Sequence, residues 1–202
     1  MVIDAVNLLL ITVQLSITVM EKEYLVFVYG TLKKNEPNHE KYLSTSKFVT
    51  AACTIEKFPL VIASKYNIPF AIDHAGSGKV CFFFNSTYCS VAIVFGNSYL
   101  TNLTSYHVCF QKIKGEIYMV NECSLAALDE LENHPVLYER QLLEFEVENA
   151  PNQKAWIYLL KKFKPEMLHL PCYDSYSSEG SHGKRYVPRY EREKPLSYDS
   201  IQ

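Results

Sequence analysis

The uneven distribution of charged side chains limits most strongly how this chain can fold. The chain has 202 residues, of which 42 are Asp, Glu, Lys or Arg. Residues 1–20 contain one of these charges, Asp4, and residues 80–111 contain none. The remaining 150 residues therefore hold 41 charges, which is an ordinary density for a globular domain. This distribution predicts a normal domain that one uncharged segment precedes and another interrupts.

The first uncharged segment, residues 1–20, is typical of an apolar extension outside the fold. A secretory signal peptide begins with basic residues, whereas the only charge before this apolar run is Asp4. A membrane anchor needs about 20 apolar residues. Polar side chains interrupt this run at Asn7, Thr12, Gln14, Ser16 and Thr18. We therefore expect residues 21–202 to form a single domain that begins next to Met20.

The second uncharged segment, residues 80–111, interrupts that domain. Its 32 residues include eight aromatic side chains and follow neither a helical nor an alternating strand pattern. Val80 is encoded by a codon that begins GT, and Phe110-Gln111 can be encoded as TTTCAG, as at the two ends of an intron. We interpret the segment as a translated, retained intron. A genuine buried loop and a membrane hairpin stay open as alternatives.

Charge balance and composition exclude several classes of protein. A formal net charge of −2 argues against a protein that binds nucleic acid through bulk positive charge. A hydrophobic content of 48% and an aromatic content of 13% supply a large core, so the chain is not intrinsically disordered. We expect neither nucleic acid nor a membrane among its partners.

Motifs for metals and cofactors are missing from the sequence. Its six cysteines form no CxxC pair and no Cys/His set with metal-binding spacing, and three of them lie in residues 80–111. The chain also lacks a phosphate-binding P-loop and a dinucleotide-binding glycine pattern. Without a convincing signal peptide, reduced thiols in the cytoplasm are the simplest interpretation.

Hydrophobic patterning outside the uncharged segments predicts five or six short strands with two helices. Strands are expected at residues 24–29, 48–55, 68–72, 113–120, 137–148 and 155–160, with a further apolar run at 59–63. Helices are expected at residues 36–44 and 122–133. This pattern favours an α+β domain around an open or closed barrel. The tail from Pro165 should be irregular, and the tyrosines of residues 173–186 predict that it packs against the domain.

The helix predicted at residues 122–133 carries a carboxylate on its apolar face. With Leu125 at 0°, Leu128 and Leu131 fall at about 300° and 240° on a helical wheel, and Glu132 falls at about 340°. Burial there is costly for a carboxylate and raises its pKa towards the range of a general acid or base. From the pattern alone, Glu132 is either such a group or a side chain of the last turn that reaches solvent.

The turn after the first predicted strand is a second candidate site. Tyr29-Gly30-Thr31-Leu32 follows a buried apolar run, and glycine at that point allows the backbone to turn sharply. Successive N–H groups of such a turn can point at one carboxylate or one developing oxyanion. An ordinary strand end is the alternative, and this motif alone does not decide between the two.

Four blocks of sequence carry a resemblance to a known family. They are LVFVYGTLKKNEPNH (25–39), FPLVIASKYNIPF (58–70), KGEIYMVNECSLAALDELENHPVLYER (114–140) and LPCYDSYSSEGSHGKRYVPR (170–189). In this order they resemble the gamma-glutamylcyclotransferase-like superfamily, and the last block resembles its gamma-glutamylaminecyclotransferase branch. Residues 1–20 and 80–111 have no counterpart in that pattern.

This resemblance implies a fold, a site and a reaction. The implied fold is α+β, a small mixed β-barrel with short flanking helices. Tyr29, Gly30, Thr31 and Leu32 would bind the gamma-glutamyl group of a small-molecule substrate, and Glu132 would be the catalytic residue. The reaction would release 5-oxoproline and a free amine from gamma-glutamylamines such as gamma-glutamyl-lysine. Neither metal nor cofactor would take part, and the protein would be a cytoplasmic monomer.

Other functions stay open at this point. A related cyclotransferase for gamma-glutamyl amino acids or glutathione would use the same Glu132 and the same turn, although the tail block disfavours it. A non-catalytic interaction protein on the same scaffold is a second alternative. A membrane or secreted protein that uses the two uncharged segments is a third.

Overall fold

The computed structural model describes residues 22–75, 111–194 and 196. Its strands are β1 (Glu23–Val28), β2 (Lys47–Thr54), β3 (Leu60–Ala63), β4 (Ile68–Ala71), β5 (Lys114–Asn121), β6 (Tyr138–Glu146) and β7 (Gln153–Leu160). Its helices are α1 (His39–Tyr42) and α2 (Glu122–Glu132). Each predicted strand and helix has an observed counterpart. The expectations for residues 1–20 and for residues 80–110 lie outside the described residues.

Five of the strands close into a barrel in the order β1-β5-β2-β6-β7. Neighbouring strands are antiparallel except for β1 and β7, which pair in parallel through Val26 and Trp156. Strands β3 and β4 form a separate antiparallel pair. The predicted α+β fold with a small mixed barrel and short helices is therefore confirmed, and the barrel is closed.

Successive side chains of β1 pack alternately into two clusters of the hydrophobic core. Phe27 stacks on Phe145 of β6 with ring centroids 4.2 Å apart. Because β1 and β6 are not neighbours in the barrel, this contact crosses the barrel interior. Val26 and Val28 belong to the other cluster, in which α2 packs through its buried leucines, Leu125, Leu128 and Leu131. The apolar face that the helical wheel predicted is therefore the packed face.

A left-handed residue ends helix α2. Asn133 has a φ of 51° and a ψ of 45°, and its N–H donates to the carbonyl of Glu130 at 3.2 Å. The N–H of His134 donates to the carbonyl of Asp129 at 2.9 Å. This pair of bonds is a Schellman arrangement, which satisfies carbonyls that the helix itself leaves open. Glu132 thereby becomes the last residue of the helix.

The tail from Pro165 is irregular apart from two short 3₁₀ helices, Pro165–His169 and Arg189–Glu191. It packs on the domain as predicted, since Tyr176 and Tyr186 are 2% and 5% exposed. Within the described ranges, no helix has the length and apolar character needed to span a membrane.

Candidate active site

One pocket brings the two sequence candidates together. It is lined by the turn of residues 29–32, by Pro69 of β4, by the end of α2, by the start of β6 and by the tail. Its polar side chains include Asn38, Glu132, Tyr138, Tyr186, Arg189 and Arg192. Of these, sequence reasoning singled out only Glu132. The others reach the pocket through contacts between distant parts of the chain, which no local pattern predicts.

Glu132 projects from the last turn of α2 into this pocket and is partly buried. Burial raises the pKa of its carboxyl from 4.5 to about 7, because removal from water disfavours the charged form. The positive charge of Arg189 acts in the opposite direction and lowers that pKa. Near neutral pH the carboxyl therefore exists in both protonation states, which suits a group that takes up and returns a proton.

Arg189 comes from the tail and meets the end of α2. Its Nη2 donates to the carbonyl of Leu131, the residue before Glu132. A guanidinium at a helix C-terminus is favourable because the helix dipole places partial negative charge there. Arg189 remains exposed to solvent at the rim of the pocket. The tail thus supports the part of the helix that presents Glu132.

Tyr29 is a buried anchor within the turn. Its hydroxyl donates to the carbonyl of Tyr158 at 2.9 Å and accepts the N–H of Ala71 at 3.3 Å. Burial raises its pKa far above the ordinary value, and the nearby charge of Glu132 adds to this rise. The neutral phenol therefore ties the end of β1 to β7 and β4.

Gly30 is required for a reason that differs from the sequence expectation. The predicted turn is present, since the Lys33 N–H donates to the Gly30 carbonyl at 3.1 Å, but Gly30 does not adopt a positive φ. A Cβ atom at this position would lie 2.9 Å from the Cγ atom of Pro69, which is closer than real Cβ atoms pack. Close approach of the Pro69 ring, rather than the conformation of Gly30 itself, explains the glycine.

The turn of residues 29–32 uses its carbonyl groups within the protein. The carbonyl oxygens of residues 30–32 accept hydrogen bonds from the Lys33 N–H at 3.1 Å, the Asn38 N–H at 2.9 Å and the His39 Nδ1 at 3.0 Å. Among the described residues, no hydrogen bond from the backbone N–H groups of residues 30–32 is seen. Within the described part of the chain, these N–H groups therefore have no acceptor, and their residues line the pocket.

A hydrogen-bond network joins the turn to the tail. The Nδ2 of Asn38 donates to the Thr31 Oγ1 at 2.8 Å and to the Tyr186 hydroxyl at 3.1 Å. The Nη2 of Arg192 donates to the same hydroxyl at 2.9 Å. The Arg192 guanidinium also lies over the rings of Tyr66 and Tyr186, 5.1 and 5.4 Å from their centroids. Tyr186 is therefore held firmly at the pocket wall.

Positive charge dominates the pocket. In the part of the chain that the structure describes, neither Arg189 nor Arg192 forms an ion pair with a carboxylate within 4.0 Å. Two guanidinium groups at one opening attract an anionic ligand and raise its local concentration. Within residues 22–75 and 111–194, no group of three or more His, Cys, Asp or Glu side chains is placed to hold a metal ion.

These features define a class of site on this fold. A closed α+β barrel sets a carboxyl of near-neutral pKa beside backbone N–H groups that have no acceptor among the described residues, an arrangement suited to acid–base chemistry on a small anionic molecule. The chain belongs to the gamma-glutamyl cyclotransferase, AIG2-like family, whose model matches residues 26–82 and 91–178. The resemblance stated from the sequence is therefore confirmed. Within the uncharged segment 80–111, the match includes residues 80–82 and 91–111 and leaves out residues 83–90.

Relatives and solved structures agree with this family. The chain is similar to the gamma-glutamylaminecyclotransferase of Mus musculus, with 36% identity over 178 residues, 83% of this chain and 98% of that protein. The gamma-glutamylaminecyclotransferase of Homo sapiens is 35% identical over 183 residues, with 83% and 99% covered. A crystal structure of an AIG2-like protein from Mus musculus aligns with a TM-score of 0.64 at 34% identity, covering 84% of this chain and 99% of that one.

Proposed function

We propose that this protein is a cyclotransferase that releases 5-oxoproline and a free amine from gamma-glutamylamines such as gamma-glutamyl-lysine. One observation carries the proposal: Glu132, with a pKa of about 7, shares a pocket with the turn of residues 29–32. The names of the Mus musculus and Homo sapiens relatives support the substrate class.

Glu132 is the general base of the proposed reaction. The α-amine of the substrate must be neutral to attack, and the ionised carboxylate accepts its proton. The nitrogen then bonds to the γ-carbonyl carbon of the same molecule and closes a five-membered ring. The bond from that carbon to the leaving amine breaks as Glu132 returns a proton to the amine. Neither water nor another reactant is consumed.

The other pocket groups position the substrate in this proposal. Folding the substrate back on itself makes the attack intramolecular, which contributes much of the acceleration. Backbone N–H groups of Tyr29, Gly30, Thr31 and Leu32 serve as donors to the gamma-glutamyl group. The two guanidinium groups at the rim attract its α-carboxylate. This scheme uses neither metal nor cofactor.

A cyclotransferase for gamma-glutamyl amino acids is the second candidate. The same carboxyl and the same turn would serve it, because the gamma-glutamyl half of the substrate is identical. A panel of gamma-glutamyl-lysine, a gamma-glutamyl amino acid and glutathione, with 5-oxoproline as the readout, separates the two. Preference for gamma-glutamyl-lysine supports the first candidate. Preference for the gamma-glutamyl amino acid or for glutathione supports the second.

Substitution of Glu132 tests the chemistry. We expect Glu132→Gln to lower kcat by about 10²- to 10⁴-fold, because the amide cannot accept the proton. The fold should persist, since glutamine has nearly the same shape. Glu130→Gln is the matched control, because Glu130 lies on the same helix and is exposed. Wild-type protein that forms no 5-oxoproline would contradict the proposed function, whereas wild-type turnover in Glu132→Gln would contradict the role of Glu132.

The organisation of the chain is also part of the proposal. We place residues 1–20 outside the fold and treat residues 21–202 as one domain that the segment 80–111 interrupts. A cytoplasmic monomer that binds only its small substrate, without nucleic acid or membrane, fits the net charge of −2. Cell fractionation tests the cytoplasmic location, and the mass of the purified protein in solution tests the monomeric state.

A further inference from the structure

The hydrogen-bond count at Tyr186 leaves one atom without a partner. A phenol oxygen accepts two hydrogen bonds and donates one. The Nδ2 of Asn38 and the Nη2 of Arg192 are donors, so their bonds at 3.1 and 2.9 Å occupy the acceptor positions of the Tyr186 oxygen. Among the residues that the structure describes, nothing accepts the hydroxyl hydrogen itself. That hydrogen is available to a ligand.

The surroundings of Tyr186 hold the hydroxyl at the pocket. Its side chain is 5% exposed, and Tyr186, Asn38 and Arg192 all line the same cavity as Glu132. Asn38 is itself fixed by its bond to the Thr31 Oγ1 at 2.8 Å. With both acceptor positions taken by anchored donors, the remaining hydrogen has little freedom of direction.

The charge next to Tyr186 favours a negative acceptor. A cationic guanidinium that donates to a phenol oxygen polarises its O–H bond, and hydrogen bonds that involve an ionised group are about twice as strong as neutral ones. Glu132 is the only carboxyl among the described residues that line this pocket, and it receives no hydrogen bond from Tyr186.

We propose that the Tyr186 hydroxyl donates a hydrogen bond to an anionic oxygen of the gamma-glutamyl substrate and is thereby a catalytic residue. This inference rests on the proposed function. Two oxygens of the substrate qualify: the γ-carbonyl oxygen, which becomes negative when the α-amine attacks, and the α-carboxylate. Loss of a contact to the first lowers kcat, whereas loss of a contact to the second raises KM.

Removal of the hydroxyl is the direct test. Tyr186→Phe keeps the ring and its contact with the face of the Arg192 guanidinium. It removes the hydroxyl, and with it both the donor and the acceptor of the bonds from Asn38 and Arg192. We expect kcat/KM for gamma-glutamyl-lysine to fall by about 10- to 100-fold. Tyr176→Phe is the matched control, because Tyr176 is a neighbouring buried tyrosine whose hydroxyl has no partner in the described residues. That variant should stay within about twofold of wild type.

Repeating the Tyr186→Phe substitution in an Arg192→Met variant distinguishes contact of Tyr186 with the substrate from support of Arg192 by Tyr186. If Tyr186 only anchors Arg192, then Tyr186→Phe has no further effect once Arg192 is replaced by methionine. Direct contact predicts a further loss of about tenfold in the Arg192→Met background. Melting curves of all variants show whether each is folded.

Failure of the role proposed for Tyr186 can be distinguished from failure of the proposed function. Wild-type activity with an unchanged Tyr186→Phe rate overturns the role of Tyr186 alone. No further loss in the Arg192→Met background overturns it as well, in favour of a structural role. Absence of 5-oxoproline from the wild-type reaction overturns the proposed function, together with the substrate named for Tyr186.

Discussion

At the scale of single residues, the position of Glu132 followed from helical periodicity, but its chemistry did not. The wheel angle of Glu132 relative to three leucines placed it on the apolar face, and left open whether its carboxylate points inward or reaches solvent. Its pKa of about 7 arises from burial, and the charge that opposes this effect belongs to Arg189, 57 positions further along the chain. Local sequence gives neither the extent of burial nor the opposing charge, because both depend on which distant groups surround the carboxyl.

The pH dependence of activity tests this environment. Glu132 must be ionised to take a proton, so kcat/KM should rise with pH through a pKa of about 7. Arg189→Met removes a positive charge that favours the carboxylate, so the pKa of Glu132 rises. We expect the acidic limb of the profile to move to higher pH by about 0.5 unit, as is typical of a solvent-exposed charge pair.

Several groups around Glu132 bear on the same profile. Tyr29 and Tyr138 are neutral at these pH values because burial raises the pKa of each. Arg185→Met is the matched control, since that side chain is exposed and faces Glu191 at 4.0 Å. Salt of about 1 M should shrink the difference between wild type and Arg189→Met through screening. Identical profiles for these two proteins would contradict the effect of Arg189 on Glu132.

At the scale of elements, strands and helix ends were largely predictable because their signals are local. Asparagine is a residue type that commonly caps helices, and the side chain of Asn121 accepts the Ser124 N–H at 2.9 Å at the start of α2. The helix expected at residues 36–44 is shorter, since only His39–Tyr42 is helical. Residues 36–38 before it form a bend and turns instead, with the His39 N–H donating to the Glu36 carbonyl at 3.0 Å.

The contact between the turn after β1 and strand β4 can be tested by a double substitution. Gly30→Ala places a Cβ atom 2.9 Å from the Pro69 Cγ, so it should lower the free energy of unfolding by about 1–3 kcal/mol. Pro69→Ala removes the ring that clashes. In denaturant unfolding, the double variant should therefore be more stable than the sum of the two single effects predicts. Additive effects would show that Pro69 is not the cause.

At the scale of the whole molecule, the tail and the barrel meet at the pocket. Strand β1 pairs with β7 in parallel, and Tyr186 reaches Asn38 across 148 positions of sequence. Such pairings depend on closure of the complete sheet and on packing of the tail. The sequence therefore predicted the barrel and the part of the pocket formed by Glu132 and the turn of residues 29–32. It did not predict the part formed by the tail residues Tyr186, Arg189 and Arg192.

Removal of residues 80–111 tests the interpretation of the second uncharged segment. All residues that line the described pocket come from other parts of the chain. We expect the shortened protein to unfold cooperatively and to release 5-oxoproline at least as fast as the full chain. A protein that fails to fold without the segment would show that it belongs to the domain. The sequences of mature transcripts provide an independent check, because a segment present in every transcript is not a retained intron.

The amino-acid sequence by itself determined the elements, the apolar faces, the ends of α2 and the family, because periodicity, capping residues and motifs are local properties of the chain. Only the tertiary structure decided that the barrel closes, that Gly30 is needed for the approach of Pro69, and that Tyr186, Arg189 and Arg192 join Glu132. The reason is physical: burial, charge and hydrogen-bond partners at a site are set by groups far apart in sequence, which only the folded chain brings together.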